Sequence, residues 1–86
     1  MSIRRKSSKV IPAAADLKRV GRRIREIRGF DLTQAEFARM LGIGQTQLSN
    51  YELGLSAPPI DILLRLKVHS GRSVDWILEG EPEKTL

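Results

Sequence analysis

Residues 33–54 read TQAEFARMLGIGQTQLSNYELG, and this stretch decides the fold. Thr33 and Glu36 are spaced as a capping box, in which each side chain accepts a hydrogen bond from the other residue's backbone amide. Apolar residues at helical spacing follow them, namely Phe37, Ala38 and Leu41. Gly42 stands where a chain leaves a helix in a left-handed conformation. The first part of the stretch therefore predicts one short helix that ends at Gly42.

A second helix is predicted after Gly44, running to about Leu53 and ended by Gly54. About four residues join the two helices, and the small side chain of Ala38 lies where they would touch. Two short helices joined by such a turn make a helix-turn-helix, whose second helix enters the major groove of DNA. The stretch therefore predicts a double-stranded DNA-binding element.

The side chains of this second helix favour base recognition. Leu48 and Tyr51 share one face, and the remaining positions up to residue 50 are polar and uncharged: Gln45, Thr46, Gln47, Ser49 and Asn50. Glutamine and asparagine can form two hydrogen bonds with adenine, and a threonine methyl can contact the thymine methyl. A solvent-facing helix with only a structural role would more often carry Lys and Glu, so base readout is the favoured interpretation.

Three further helices surround this pair. The first begins after the cap Asp16 and ends at Gly29, with Leu17, Val20, Ile24 and Ile27 at steps of three and four. The fourth follows Pro59 and ends at Gly71, with its apolar residues at Ile60, Ile62, Leu63 and Leu66. The fifth covers residues 74–78, capped by Ser73 and stopped by Gly80. No segment reads as a strand.

The predicted fold is accordingly all-α, a compact bundle of five short helices. Residues 1–15 lack periodicity and read as a flexible basic arm, residues 16–80 form the DNA-binding domain, and residues 81–86 form a polar tail. The arm, with Arg4, Arg5, Lys6 and Lys9, either follows a DNA groove or is a solubilising tail. The sequence leaves both readings of the arm open.

Charge is distributed unevenly along the chain, whose formal net charge is +5. Residues 1–28 carry ten basic and two acidic side chains, whereas residues 29–86 carry five basic and eight acidic ones. A one-sided basic field suits a polyanionic partner. Because Arg39 is the one basic residue of the 33–54 stretch, attraction to DNA is expected to come from the first helix and the arm.

Several classes of protein are not expected. The chain has no cysteine and one histidine, which argues against disulfides and metal sites. No nucleophile–base constellation stands out, so no catalytic residue, enzyme activity or cofactor is predicted. No apolar run is long enough to span a bilayer, and a cytoplasmic protein is expected. An 86-residue domain buries a modest core. A homodimer is therefore expected, formed through Leu55 and the apolar residues of the fifth helix.

The sequence closely resembles the Cro/phage-repressor (XRE) helix-turn-helix family. The likeness rests on LTQAEFARMLG at residues 32–42 and QTQLSNYE-x-G at residues 45–54. With Pro58, LLRL at residues 63–66 and G-x-SVDWIL-x-G at residues 71–80, the likeness covers about residues 17–80. The resemblance implies a lambda-repressor-like fold and a bacterial or phage-encoded transcriptional regulator, with repression as the expected outcome. An antitoxin that sequesters a toxin, with DNA binding secondary, is the alternative.

The resemblance also implies roles for individual residues. Gln45, Thr46, Ser49 and Asn50 match base-facing positions, while Gln47 is expected nearer the DNA backbone. Gln34 matches a glutamine that binds phosphate and braces the recognition helix. Glu52 matches a glutamate that pairs with an arginine of the first helix, Arg28 being the first choice and Arg25 the reserve. Further phosphate contacts are expected from Thr33, Arg22 and Arg25.

Overall fold

The computed structural model describes residues 16–81, which form five α-helices and no strand. The helices are α1 (Leu17–Arg28), α2 (Gln34–Leu41), α3 (Gln45–Leu53), α4 (Ile60–Ser70) and α5 (Val74–Glu79). The all-α, five-helix prediction is confirmed. The predicted basic arm (1–15) and all but the first residue of the predicted tail (81–86) lie outside the described residues. No helix within residues 16–81 has the length and apolar character needed to cross a membrane.

Side-chain caps start three of the helices, and the predicted capping box of α2 is present. The Thr33 hydroxyl oxygen accepts from the Glu36 amide at 3.1 Å, and a Glu36 carboxylate oxygen accepts from the Thr33 amide at 2.9 Å. Asp16 and Ser73 cap α1 and α5 with one bond each, accepting from the amides of Arg19 and Trp76. Each cap satisfies amide donors that a helix leaves unpaired in its first turn.

The turn between α2 and α3 is built on Gly42, which has the left-handed φ of 76° that a residue with a Cβ rarely adopts. The Ile43 amide donates to the Ala38 carbonyl at 2.9 Å and closes the end of α2. The turn comprises residues 42–44, so it is slightly shorter than the four residues expected. This geometry fixes the angle at which α3 leaves α2.

One hydrophobic core joins all five helices. Its fully buried large side chains are Val20, Ile24, Phe37, Leu48, Leu66 and Ile77. Because α1, α2 and α3 each contribute to this cluster, the helix-turn-helix pair is packed onto the body of the domain. Burial of this kind stabilises the fold by about 1.5–3 kcal/mol for each large apolar side chain.

Two expectations about apolar residues are wrong. Ile60, assigned to the apolar face of the fourth helix, is 76% exposed. The reason is its register: it is four residues before Leu64, and both fall outside the face formed by Ile62, Leu63 and Leu66. The apolar residues of α5 were expected to be available to a partner. Instead Ile77 is fully buried, and its apolar neighbours pack against the same core.

The backbones of α1 and α3 approach each other closely at Gly21. A Cβ at this position would lie 2.3 Å from the Glu52 carbonyl oxygen and 2.5 Å from that of Tyr51. Gly54 is similarly confined, since a Cβ there would lie 2.8 Å from the backbone of Lys18. The backbones of α1 and α3 are therefore in contact at both points, which fixes the position of α3 on the domain.

Candidate nucleic-acid interface

Helix α3 divides into a buried face and a polar outer face. Leu48, Tyr51 and Glu52 are buried, at the three-and-four spacing of one helical face. The opposite side presents the five uncharged polar residues: Gln45, Thr46 and Gln47 are exposed, and Ser49 and Asn50 are half-buried. The structure thus gathers the predicted base-facing residues Gln45, Thr46, Ser49 and Asn50 on the outside of one helix.

A buried carboxylate fastens α3 to the two helices beside it. The side chain of Glu52 is 3% exposed, and Arg28 of α1 binds both of its oxygens, through Nε at 2.8 Å and Nη2 at 2.9 Å. Gln34 of α2 donates its Nε2–H to Oε1 of the same carboxylate at 2.9 Å. We call Arg28, Gln34 and Glu52 the polar clamp. It links α1, α2 and α3 at a single carboxylate.

Arg28 is the partner of Glu52, and Arg25, the reserve choice, makes no such contact. The hydrogen bonds to Glu52 and its negative charge raise the pKa of the Arg28 guanidinium above its ordinary value, although burial acts in the opposite direction. Arg28 therefore keeps its charge at any usable pH. A bidentate arginine–carboxylate pair has a fixed planar geometry, which suits a part that orients a neighbouring helix.

The clamp leaves hydrogen-bond donors available at its outer edge. Arg28 uses one further N–H on the Leu32 carbonyl at 3.1 Å, so two of its five guanidinium donors are uncommitted within residues 16–81. Gln34 uses one of its two amide hydrogens. The Thr33 hydroxyl oxygen accepts from Glu36, which leaves its own proton free to donate. Thr33 and Gln34 stand at the N-terminus of α2, where the helix dipole favours an anion.

The arginines of α1 differ in what they do. Arg22 and Arg25 are exposed and, with Arg28, repeat every third residue and line one concave surface on the same side of the helix. Arg23 instead turns inward, and its Nη1 donates to the Ile77 carbonyl of α5 at 2.9 Å. Arg22 and Arg25 are thus exposed cations beside the clamp, whereas Arg23 holds two helices together.

Gln47 is engaged along the surface of its own helix. Its Oε1 accepts from the Gly44 amide at 3.5 Å and its Nε2 donates to the Tyr51 hydroxyl at 3.4 Å. Both distances are at the long limit for hydrogen bonds, so the side chain can exchange these partners at little cost. Gly44 has no side chain with which to cap α3, and Gln47 supplies half of a cap in its place.

The sequence did not predict the structural roles of Gly21, Arg23 and the Leu32 carbonyl. Gly21 gave a usable signal, because an isolated glycine inside an otherwise regular amphipathic helix often marks a close approach of another backbone. Arg23 gave none, since nothing in the sequence separates it from Arg22. Over residues 16–81 the structure contains no cluster of three or more side chains able to ligate a metal.

The sequence model of the helix-turn-helix family matches residues 22–77. The chain belongs to this XRE-type helix-turn-helix family. The match spans α2, the Gly42 turn and α3, and the resemblance stated from the sequence is confirmed. The family consists of DNA-binding regulators rather than enzymes, and the chain is a DNA-binding transcriptional regulator.

Solved structures agree with this assignment. The P22 c2 repressor, in a complex with synthetic operator 9T, is similar with 30% identity and a TM-score of 0.66, over 72% of this chain and 96% of that one. The solution structure of the same repressor's DNA-binding domain is 28% identical, with a TM-score of 0.64, over 81% and 93%.

The restriction-modification controller protein C.AhdI from Aeromonas hydrophila shares the fold, with 24% identity and a TM-score of 0.63, over 72% of this chain and 96% of that one. No curated protein sequence matches the chain.

Proposed function

We propose that this protein is a sequence-specific repressor that inserts α3 into the major groove of double-stranded DNA. The observation that carries the proposal is the combination of an uncharged polar outer face on α3 with the polar clamp at its base. A helix that reads base edges must be held in one orientation, because hydrogen bonds to bases require specific distances and angles. The clamp and the Gly21 contact supply that constraint from two sides.

Base reading is assigned to Gln45, Thr46, Ser49 and Asn50. Gln45 and Asn50 can each offer a donor and an acceptor to one adenine, and Thr46 and Ser49 add a methyl contact and a short hydroxyl. None of these side chains is charged, so they add no long-range attraction to the duplex, and the hydrogen bonds that they form with base edges depend on base identity. Sequence specificity is accordingly expected from this face.

Phosphate binding is assigned to the N-terminus of α2 and to α1. Thr33 and Gln34 would bind one phosphate through the donors described above, and Gln47 would release its weak bonds to reach a neighbouring one. Arg22 and Arg25 would contribute charge alongside. Such contacts set the register of the protein on DNA without selecting the sequence.

Repression is the proposed outcome because a small domain seated in the major groove blocks access of other proteins to the same site. The likeness to the P22 c2 repressor, which was solved with its synthetic operator, supports this choice. The proposed place of action is the cytoplasm of a bacterial cell, where the DNA of a bacterium or phage lies. The regulator is proposed to need no cofactor.

A homodimer is proposed for the DNA-bound state. Leu53 and Leu55 are exposed at the C-terminal end of α3, which makes this end of the helix an apolar surface. Two copies meeting near it would place two recognition helices on half-sites about 34 Å apart. Sedimentation of the protein with a palindromic duplex is expected to show two copies per duplex, and Leu55→Asp is expected to reduce this to one. One copy per duplex for the unmodified protein would contradict the dimer.

The test of the function begins with in-vitro selection of bound duplexes from random DNA, which is expected to return one preferred sequence. Gln45→Ala and Asn50→Ala should then each reduce the preference for that sequence by about 1–3 kcal/mol. Binding to unrelated DNA should be nearly unchanged. Gln47→Ala is the matched control on the same helix, and it should weaken binding to all duplexes alike.

The two assignments can fail separately in this test. If selection returns no preferred sequence, the protein is not a sequence-specific binder. If a preferred sequence is found and both substitutions leave it unchanged, α3 is not the reading helix. Loss of reporter expression beside the selected site would support repression, and increased expression would contradict it.

A further inference from the structure

An apolar groove lies between α2 and α4. Its floor is formed by buried Phe37 and Leu41, and its rim by Met40, Leu64 and Val68, which are 55%, 50% and 85% exposed. The groove has a volume of about 420 Å³. Three large apolar side chains exposed together on a small domain form a patch of the kind that marks an interaction surface.

The lining belongs to α2 and α4 only. None of the residues proposed to contact bases or phosphates contributes to it, and neither does the polar clamp. An occupant of the groove would therefore leave the outer face of α3 and the N-terminus of α2 open. This arrangement allows the groove and the DNA to be bound at the same time.

The shape of the rim suits an amphipathic helix. Leu64 and Val68 are one helical turn apart on α4, and Met40 lies across the groove on α2. A partner helix laid along such a groove presents apolar anchors at positions i, i+3 or i+4, and i+7. Methionine is flexible and polarizable, so Met40 can adjust to different anchor side chains.

The charge of the groove indicates what should flank those anchors. Arg65 and His69 are its polar lining residues, and no carboxylate lines it. Arg65 donates one hydrogen bond, from Nη1 to the Leu41 carbonyl, and this bond holds its guanidinium at the rim. The other guanidinium N–H groups take no part in that bond. Arg65 is thus the charged side chain of the lining. A carboxylate on a partner would meet this cation at the rim, whereas a second copy packed here about a two-fold axis would bring Arg65 against Arg65.

We propose that the α2–α4 groove binds an acidic amphipathic helix of another protein while the regulator is on DNA. Binding in the groove goes beyond the proposed repressor function and does not depend on it, because the groove shares no residue with the reading face; delivery of the partner to a DNA site rests on that proposed function. A partner held this way would be brought to the DNA site by the bound regulator. Apolar anchors would supply the affinity, and carboxylates would select the partner against basic helices.

The test uses the full chain and two synthetic amphipathic helices with identical leucine anchors, one flanked by Glu and the other by Lys. The acidic peptide is expected to bind saturably, with methyl NMR shifts at Met40, Leu64 and Val68, and to weaken as salt is raised. Binding should persist with duplex DNA present. Val68→Asp should weaken it about tenfold or more while leaving DNA binding intact.

Phe30→Asp is the matched control, since it adds the same charge at an exposed apolar residue outside the groove. It should leave peptide binding unchanged. Equal binding of the Lys-flanked peptide, or no saturable binding of either, overturns the proposal. Methyl NMR shifts of the groove residues that change with protein concentration, in the absence of peptide, would indicate that a second copy occupies the groove. Shifts of the same residues on removal of residues 82–86 would indicate that the chain's own tail occupies it. Either result also overturns the proposal.

Discussion

Helices α1 and α3 are packed against each other, yet they divide polar chemistry between them. The outer face of α3 carries amides and hydroxyls and no basic residue, whereas α1 exposes Arg22 and Arg25. Charge attracts any duplex, while uncharged donors and acceptors distinguish one base pair from another. With the roles proposed for these two faces, affinity and specificity are expected to change independently, provided that the contact between the two helices is rigid.

That rigidity can be broken most severely at Gly21. Gly21→Val is expected to lower the free energy of unfolding by about 3 kcal/mol, because its side chain would overlap the backbone of Tyr51 and Glu52. Urea unfolding followed by circular dichroism measures the change. Gly44→Ala is the control, since nothing lies within 4 Å of a Cβ there, and it should cost about 0.5 kcal/mol or less.

The milder Gly21→Ala keeps the test usable if the valine variant does not fold. An unfolding midpoint equal to that of the unmodified protein for either variant would mean that α1 and α3 are not in backbone contact at this position.

The polar clamp can be broken next. Glu52→Ala would leave the largely buried Arg28 without its carboxylate, and is expected to lower the free energy of unfolding by about 3 kcal/mol. Glu26→Ala is the comparison on α1, because Glu26 pairs with Arg72 at 3.7 Å through exposed side chains and its loss should change stability little. Equal thermal shifts for the two variants would contradict the clamp's role.

A smaller effect is expected at the start of α2. Thr33→Ala removes one side of the capping box and should lower the free energy of unfolding by about 1 kcal/mol. Thr46→Ala is a matched threonine on the exposed face of α3 that caps no helix. It should leave unfolding nearly unchanged and reduce sequence preference instead. If Thr46→Ala destabilised the protein as much, the exposed face of α3 would have a structural role that the geometry does not show.

The smallest expected effect concerns the charge of α1. Arg25→Ala should lower the slope of log binding constant against log salt concentration by about one unit, equally for selected and unrelated duplexes. Titrations over a salt series measure the slope. Arg23→Ala removes an equal charge, but from a side chain that donates a hydrogen bond to the Ile77 carbonyl. It should lower the free energy of unfolding and change the salt slope less than Arg25→Ala does. A larger loss on the selected duplex alone would assign Arg25 to base reading.

Much of the local structure could be predicted because it depends on residues close together in the chain. The Thr33–Glu36 box is three residues apart and Gly42 controls its own turn, so both are readable from sequence. The burial of Ile60 was predicted wrongly because helical register alone does not say which row of apolar residues packs against the core. That choice depends on where α4 meets α1, α2 and α5. The base-facing and phosphate-facing roles remain predictions that binding experiments must test.

The sequence by itself determined the five helices, their caps and the polar outer face of α3, since these follow from propensity and periodicity within short segments. The family resemblance pointed to Arg28 as the partner of Glu52, but only the tertiary structure showed how the arginines of α1 divide their contacts. Arg22, Arg23, Arg25 and Arg28 look alike in the sequence, yet one binds Glu52, one holds α5, and two stay exposed. The reason is that a long cationic side chain takes its role from the carboxylates and carbonyls that folding brings within reach.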